Sequence, residues 1–230
     1  MRDPFQPIRH RWNPSPTAAI RLQRALADRV VERVVPARSV RLVAGGDAAF
    51  VAGAPQIIAG WIVWDVRKHA VIESASVHRK VTFPYVPGLL SFREAPALLA
   101  AARQLRSVPD VFILDGHGRA HPRRLGIASH LGLLLDRPTI GCAKSRLCGE
   151  HVEPGNTRGD AVDLRFDGER IGRVLRTRTG VKPIYVSVGH LVRLADAERI
   201  VLRCCTGYRL PEPTRLAHQL VTRLRRDASA

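Results

Sequence analysis

The chain has 230 residues, of which 45% are hydrophobic, so it is long enough to bury a core and is expected to form one domain. Its formal net charge is +17, from 37 basic and 20 acidic residues, and this excess predicts an anionic partner, with a nucleic-acid backbone as the first candidate. A GC-rich coding sequence would explain why only four of the basic residues are lysines, but not the excess of base over acid.

The composition also argues against several classes of protein. The cysteines at 142, 148, 204 and 205 form no Cys-x-x-Cys pair, so neither a zinc site nor a disulfide framework is expected. The N-terminus lacks the apolar segment of a signal peptide, and no apolar run approaches the length of a membrane span. We therefore expect a reduced, cytoplasmic protein without a membrane partner.

The first half of the chain predicts an arm, a helix and a meander of three strands. Residues 1–16 are polar and proline-rich and indicate a flexible arm, and residues 17–35 have the periodicity of an amphipathic helix. Three strand-like runs follow, with breaks at Gly53-Ala54-Pro55 and Arg67-Lys68-His69 that favour antiparallel pairing: 41–51, 56–66 and 70–80. A proline-containing loop and a helix over about 92–105 complete this half.

The second half alternates strands and helices. A hairpin is indicated by the turn-forming pair Asp167-Gly168, and a helix is predicted from His121-Pro122 to about residue 135. The strands are predicted at 111–114, 139–143, 161–166, 170–176 and 184–188, and the last helices at 191–202 and 214–226. A meander followed by alternating elements predicts a mixed α/β sheet in one domain over residues 17–227.

Two aspartates lie where a sheet can present ligands. Asp47 follows Val43-Ala44-Gly45-Gly46 within an apolar strand, where a carboxylate is costly to bury. It marks either a strand end or bulge, or a metal ligand, and we favour the ligand. Asp115 ends the strand 111–114, so it either begins an Asx turn into Gly116 or lies among the ligands that gather at strand ends.

The stretch PYVPGLLSFRE, residues 84–94, allows two roles for Glu94. The sequence Ser91-Phe92-Arg93-Glu94 has the Ser-x-x-Glu pattern of a capping box, in which Glu94 bonds to the helix N-terminus. Alternatively, Glu94 joins Asp47 and Asp115 as an oxygen ligand of Mg²⁺ or a similar ion. One carboxylate cannot serve both roles fully, so a metal-binding Glu94 would leave Ser91 to cap the helix alone.

Three further side chains have both an ordinary and a functional interpretation. Tyr85, on a loop stiffened by Pro84 and Pro87, is either a packing residue or a wedge between stacked bases. Lys144, after the strand 139–143, is either a surface residue or a phosphate contact. His218, within the last helix, either packs or assists proton transfer near a metal.

Long segments in a fixed order carry a resemblance to a known family. They are VAGGD from residue 43, PYVPGLLSFRE from 84, DGHGRAHPRRLGIASHLGLLLDRPTIGCAKSRL from 115, PIYVSVGH from 183 and YRLPEPTRLAH from 208. Together they resemble the endonuclease V family of deoxyinosine-specific nucleases, over about residues 23–218. Runs of this length are far more specific than a lone glycine-containing motif.

The resemblance implies a fold and an activity. The fold is a ribonuclease H-like α/β fold, with a mixed sheet whose first three strands are antiparallel and with flanking helices. The activity is a metal-dependent endodeoxyribonuclease that acts on DNA containing deaminated bases, with Mg²⁺, for which Mn²⁺ substitutes. The expected cut lies at the second phosphodiester bond 3′ to deoxyinosine and leaves a 3′-hydroxyl and a 5′-phosphate. The expected role is DNA repair, by a monomer.

The resemblance also implies catalytic roles at matching positions of this chain. Asp47, Glu94 and Asp115 match the family's metal-binding carboxylates. Lys144 matches a lysine that contacts the phosphate near the cut, and His218 matches a late histidine near the metal. One departure follows Asp47, where the chain has Ala48-Ala49-Phe50 instead of a small polar residue before an aromatic.

The substrate-binding positions follow in the same way. Tyr85, with Pro84, Val86 and Pro87, matches the wedge that fills the gap left by a flipped base. The positions that match the entrance and lining of a tight base pocket are Gly88, Leu90, Gly116, Gly118, Ile127, Gly141 and Leu147. Two alternatives stay open: an endonuclease that acts on inosine in RNA, and a protein that binds deaminated DNA without cutting it.

Overall fold

The structure is a computed structural model that describes residue 8 and residues 10–228. Within these residues the helices are α1 (Pro16–Ala27), α2 (Leu90–Ala102), α3 (Ile127–Leu135), α4 (Leu194–Arg203) and α5 (Glu212–Asp227). The strands are β1 (Leu42–Phe50), β2 (Gln56–Asp65), β3 (Ala70–Lys80), β4 (Val111–Leu114), β5 (Thr139–Ala143), β6 (Ala161–Phe166), β7 (Glu169–Leu175) and β8 (Ile184–His190).

The strands form one mixed sheet of eight strands, in the order β3-β2-β1-β4-β5-β8-β7-β6. Strands β1, β4 and β5 are parallel, whereas β1 to β3 form an antiparallel meander and β8, β7 and β6 pair antiparallel beyond β5. The expected mixed α/β fold with three antiparallel first strands is therefore confirmed. The parallel strands end at the same edge of the sheet.

Helices cover both faces of the sheet. Since alternate residues of a strand point to opposite faces, each strand contributes side chains to two cores. On β4, Phe112 and Leu114 belong to the core beneath α2 and α3. Val111 and Ile113 belong to the core on the other face, which α4 covers. This double burial explains why β4 and β5 are short, continuous apolar runs in the sequence.

Helix α1 is shorter than the helix predicted over residues 17–35. It ends at Ala27, and the valine-rich segment that follows is extended: Leu191 N–H donates to the Val31 carbonyl at 2.7 Å and Arg193 N–H to the Arg33 carbonyl at 2.8 Å. The apolar residues of this segment have the spacing of a helix, but β-branched valines favour an extended backbone. The residues directly after β8 supply the hydrogen bonds of the extended segment.

The helix predicted from His121-Pro122 was also placed too early, because α3 begins at Ile127. The intervening residues form turns in which Arg123 N–H donates to His121 Nδ1 at 3.1 Å and Arg124 has a positive φ of 56°. The hairpin between β6 and β7 does turn at Asp167-Gly168, and both residues have the positive φ that this turn requires.

The capping box predicted at Ser91 is wrong. Helix α2 begins at Leu90, so Ser91 lies in its first turn, and Leu89 stands at the N-cap without a side-chain hydrogen bond. The Ser91 hydroxyl lies 3.1 Å from Nδ1 of the buried His130 instead. Ser91 therefore does not cap the helix, and Glu94 has no capping role.

Part of the predicted N-terminal arm, residues 1–7 and 9, lies outside the described residues. Its described part packs on the domain: His10 Nε2 lies 2.8 Å from His130 Nε2, and the Trp12 ring lies against His10. All four cysteines are free thiols. None of the helices in the described ranges has the length and apolar character needed to cross a bilayer.

Candidate active site

A compact acidic cluster lies at the edge where the parallel strands end. Asp47 comes from β1, Asp115 follows β4, and His218 comes from α5; one ligand atom from each lies within 4.8 Å of the others. Asp47 pairs with Gly60 of β2 in an unbroken register, so it lies inside the strand rather than at an end or bulge. We call Asp47, Asp115 and His218 the acidic cluster.

The sequence Gly45-Gly46 explains how a helix from the end of the chain reaches β1. A Cβ atom on Gly45 would overlap the backbone of Pro213, at the start of α5. Glycine therefore allows the first turn of α5 to lie directly on the strand. His218 follows on the same helix, and its Nδ1 lies 2.7 Å from Oδ2 of Asp47.

Charges at the cluster are only partly balanced. Lys144 Nζ lies 2.5 Å from Oδ2 of Asp115. Burial and the charge of Asp115 raise the pKa of Asp47, although the hydrogen bond from His218 acts in the opposite direction. Burial and the charges of Asp47 and Asp115 raise the pKa of Glu94 to about 8. The two aspartates thus carry more negative charge than Lys144 neutralises, and Glu94 stays protonated beside them at neutral pH.

This donor set fits a hard divalent cation. Carboxylate oxygens are the ligands that Mg²⁺ prefers, and an added imidazole also suits first-row metals such as Mn²⁺. A cation would relieve the repulsion that raises the pKa of Asp47 and Glu94. Glu94 lies close enough for the charges of both aspartates to raise its pKa. Its carboxylate is not among the ligand atoms of Asp47, Asp115 and His218 that lie within 4.8 Å of one another.

Tyr85 stands out from the protein on the proline-rich loop. Its side chain is 71% exposed, so it is not a buried packing residue. The guanidinium carbon of Arg93 lies 5.7 Å from the centre of the Tyr85 ring and 4.3 Å from that of Phe50. Pro84 lies away from the pocket described next, in a shallow cleft beside Phe50 and Arg93.

A pocket of about 270 Å³ lies beside this loop, near the small end of the range of roughly 300–1,000 Å³ for small-ligand sites. The predicted substrate-binding residues that line it are Tyr85, Val86, Pro87, Gly88, Leu90, Gly116, Ile127 and Leu147. A Cβ atom on Gly116 would lie 2.7 Å from Cγ2 of Ile127, so even one methyl group would narrow the pocket. The pocket suits a flat, compact group.

Gly118 and Gly141 are not among the lining residues and lie behind the wall of the pocket. A Cβ atom on Gly141 would lie 2.8 Å from the Gly116 carbonyl oxygen, so the glycine lets the loop after β4 pack directly on β5. Their placement indicates a supporting role rather than contact with a ligand.

Several lining residues were missed by the sequence analysis. They are Gln23, Ser91, His117, His121, Leu125, Gly126, Ser145 and Arg146. His117 stands inside the quoted DGHG segment, and its Nε2 lies 3.0 Å from the Ser145 carbonyl oxygen. Burial lowers the pKa of His121 to about 4, so this ring is neutral. Nothing in the local sequence around Gln23 marks it as part of the pocket wall.

The described residues thus form an α/β protein in which an acidic, histidine-containing cluster adjoins a compact pocket, a class suited to divalent cations and phosphate groups. Residues 24–219 match the family model for Endonuclease V, and the chain belongs to that family. The resemblance seen in the sequence is confirmed.

Relatives and solved structures agree with this assignment. Endonuclease V of Gloeobacter violaceus is 51% identical over 212 residues, covering 91% of this chain and 86% of the relative. Endonuclease V of Streptomyces avermitilis is similar in structure, with a TM-score of 0.91, 41% identity, and coverage of 95% and 96% of the two chains. Endonuclease V of Ciona intestinalis has a TM-score of 0.82, 27% identity, and coverage of 92% and 98%, and was solved with a 24mer DNA containing an inosine followed by a ribo-adenosine.

Proposed function

We propose that this protein is a metal-dependent endonuclease that nicks DNA at the second phosphodiester bond 3′ to deoxyinosine, leaving a 3′-hydroxyl and a 5′-phosphate. The observation that carries the proposal is that the acidic cluster and the pocket share one short segment. Asp115 belongs to the cluster and the next residue, Gly116, belongs to the pocket wall. A base held in the pocket would therefore keep its own strand beside the cluster.

Binding begins with charge and ends with shape. The net charge of +17 attracts the phosphate backbone, and this part of the affinity falls as salt is added. Tyr85 then fills the space in the duplex while the deaminated base turns out of the stack. Gly116 lies against Ile127, and the pocket that these two residues help to line accepts the base, which is read by close fit and by hydrogen bonds to its edge.

Asp47, Asp115 and His218, with Glu94 nearby, would hold Mg²⁺, or Mn²⁺ in its place. When bound, the ion supplies the positive charge that activates water and stabilises the leaving oxygen. Glu94 has to lose its proton as the ion binds, because burial and its neighbours keep the carboxyl protonated at neutral pH. Lys144, held beside Asp115, neutralises charge on the phosphate, and His218, if it does not ligate the ion, orients the attacking water.

The base stays attached to the cleaved strand in this proposal, so the nick marks a deaminated site for later DNA repair. We also propose that the protein acts as a monomer in the cytoplasm. The free cysteines are compatible with a reducing compartment.

A specific observation favours a second candidate, an endonuclease that cleaves RNA at inosine. The Ciona intestinalis relative was solved with DNA that contains a ribo-adenosine directly after the inosine. That relative thus forms a complex with a strand that has a ribose directly after the inosine.

The test uses end-labelled DNA and RNA duplexes of one sequence, each with a single inosine, assayed side by side with Mg²⁺. The proposal expects a DNA cut directly after the 3′ neighbour of the inosine, with product ends that ligase accepts after annealing. Faster cleavage of the RNA would favour the second candidate. Tight binding to inosine DNA without any product would support a binding protein instead.

A further inference from the structure

The carbonyl oxygen of Gly88 receives an unusual number of hydrogen bonds. We call residues 83–89 the Tyr85 loop. Gly88 lies near its end and has a positive φ of 77°. Gln23 Nε2 lies 3.0 Å from its oxygen, Arg123 Nη2 lies 2.7 Å away, and His121 Nε2 lies 3.1 Å away. A carbonyl oxygen has two lone pairs, so three donors saturate it and fix the direction of this peptide group.

Gln23 is the centre of this arrangement. Gln23 belongs to α1 and is not part of the acidic cluster. Its polar side chain is nevertheless buried, with 1% exposure. Besides Gly88, the Gln23 amide donates to the Leu125 carbonyl at 3.2 Å, and its oxygen accepts from Arg123 Nε at 2.6 Å. Both ends of the side chain are thus in use, which is the condition for burying a polar group without a large cost.

His121 completes the arrangement as a neutral ring. Its Nδ1 accepts from the backbone N–H of Arg123, so the proton of the neutral ring lies on Nε2, which faces the Gly88 oxygen. All three donors therefore point at one atom, from α1 and from the turn before α3.

Helix α1 supports the same loop with an apolar contact. Ala19 precedes Gln23 by four residues, which places both on one face of the helix. Ala19 packs with Phe83 and Leu89, at the two ends of the Tyr85 loop. One face of α1 therefore contacts both ends of the loop.

We propose that Gln23 and Arg123 are positioning residues that fix the Tyr85 loop and, through it, set how strictly the pocket distinguishes a deaminated base from an ordinary purine. This inference rests on the proposed function. Neither residue belongs to the acidic cluster, so their loss acts on base discrimination more than on the chemical step.

The first test needs no activity. Hydrogen exchange of the free protein is compared for wild type, Gln23→Leu and Arg123→Lys, with Asp65→Asn as the control. Asp65 is another buried, multiply hydrogen-bonded side chain, but it lies by the turn after β2, at the opposite end of the sheet from the cluster. We expect exchange in residues 85–92 to rise at least about fivefold in both loop variants and to stay at the wild-type rate in Asp65→Asn.

The second test measures kcat/KM on duplexes with inosine and with adenine at the same position. We expect the inosine-to-adenine ratio to fall about tenfold in Gln23→Leu, with a smaller fall in Arg123→Lys. The single-turnover rate at saturating enzyme should change less than the ratio.

Unchanged exchange in residues 85–92 in a folded Arg123→Lys protein would overturn the proposal, and so would an unchanged base ratio in that variant. If Gln23→Leu does not fold, Arg123→Lys still decides the matter. If wild type does not cleave inosine DNA at all, the proposed function fails, while the exchange experiment still reports whether Gln23 and Arg123 hold the loop.

Discussion

The acidic cluster and the pocket share the segment after β4 but are built in opposite ways. The cluster draws its carboxylates from β1 and the end of β4, where strand pairing fixes their positions. The pocket draws most of its wall from loops, with Tyr85 standing exposed at its mouth. The cluster holds several charged groups close together, whereas the pocket is largely apolar and owes its shape to glycines in its wall.

This difference suggests a division of labour between chemistry and recognition. Groups that hold a metal have to keep their geometry against mutual repulsion, and a sheet supplies that rigidity. A pocket can instead be shaped by loops, provided that hydrogen bonds such as those to Gly88 hold them in place. Changes in the cluster should therefore affect the rate of cleavage, and changes around the pocket should affect the choice and affinity of the strand.

The largest effect is expected from Asp115→Asn. It removes a charge that Lys144 contacts and that would help to hold the proposed ion, so single-turnover nicking of inosine DNA should fall on the order of 1,000-fold or more. Binding of the same duplex, measured by fluorescence anisotropy, should stay within about threefold of wild type. Undiminished nicking by a pure Asp115→Asn protein would defeat the assignment of the cluster.

A smaller effect is expected from Gly116→Ala, because its methyl group would lie 2.7 Å from Cγ2 of Ile127. Ile127 has to shift, which changes the shape of the pocket wall, and affinity for inosine DNA should fall roughly 30-fold, or about 2 kcal/mol. The double variant Gly116→Ala/Ile127→Ala removes the clash and should recover most of the loss. If the double variant is no better than the single one, the contact between these residues does not set the shape of the pocket.

Tyr85→Ala should weaken binding of inosine DNA about tenfold, in line with the roughly 1–3 kcal/mol contributed by stacking of an aromatic ring on a base. Affinity for the undamaged duplex should change much less, because no base leaves that stack. Tyr85→Phe keeps the ring and serves as the control. Equal losses on both duplexes would show that Tyr85 does not act as a wedge.

The smallest effect concerns stability and pH. Glu94 has a folded-state pKa of about 8 against an ordinary value of 4.5, so the folded protein keeps a proton that the unfolded chain has lost. The contribution of Glu94 to the free energy of unfolding of the metal-free protein should therefore be greatest below about pH 4.5. It should fall as the pH rises from there to about 8.

Urea unfolding in chelator should show this fall as about 1 kcal/mol or more between pH 5 and 8 in wild type, and a flatter profile in Glu94→Gln. Glu150→Gln, an exposed carboxylate, is the control and should follow wild type. Identical pH profiles for wild type and Glu94→Gln would show that Glu94 is not protonated beside the acidic cluster in the metal-free protein.

Much of the cluster could be predicted from the sequence because its residues break a regular pattern. Asp47 interrupts an apolar strand and Asp115 ends one, and the strands 111–114 and 139–143 agree with β4 and β5. Continuous apolar runs with clear ends are typical of strands that are buried on both faces.

What failed was decided by contacts far apart in the chain. The pattern at Ser91 is a valid local cap, but a contact with His130 from α3 holds that hydroxyl instead. The segment after Ala27 has helical apolar spacing, yet it pairs with the end of β8. Gln23 reaches Gly88 and Arg123 across 65 and 100 residues, so no local pattern could mark it.

The central claim is tested most directly by one assay with two variables, the base and the metal. A 5′-labelled duplex with inosine, and its adenine counterpart, are incubated with the protein in Mg²⁺ or in chelator. The account predicts that with Mg²⁺ the inosine duplex is cut far faster than the adenine duplex, at the second phosphodiester bond on the 3′ side, and that neither duplex is cut in chelator. Equal cutting of both duplexes, or cutting of the inosine duplex in chelator, would contradict it.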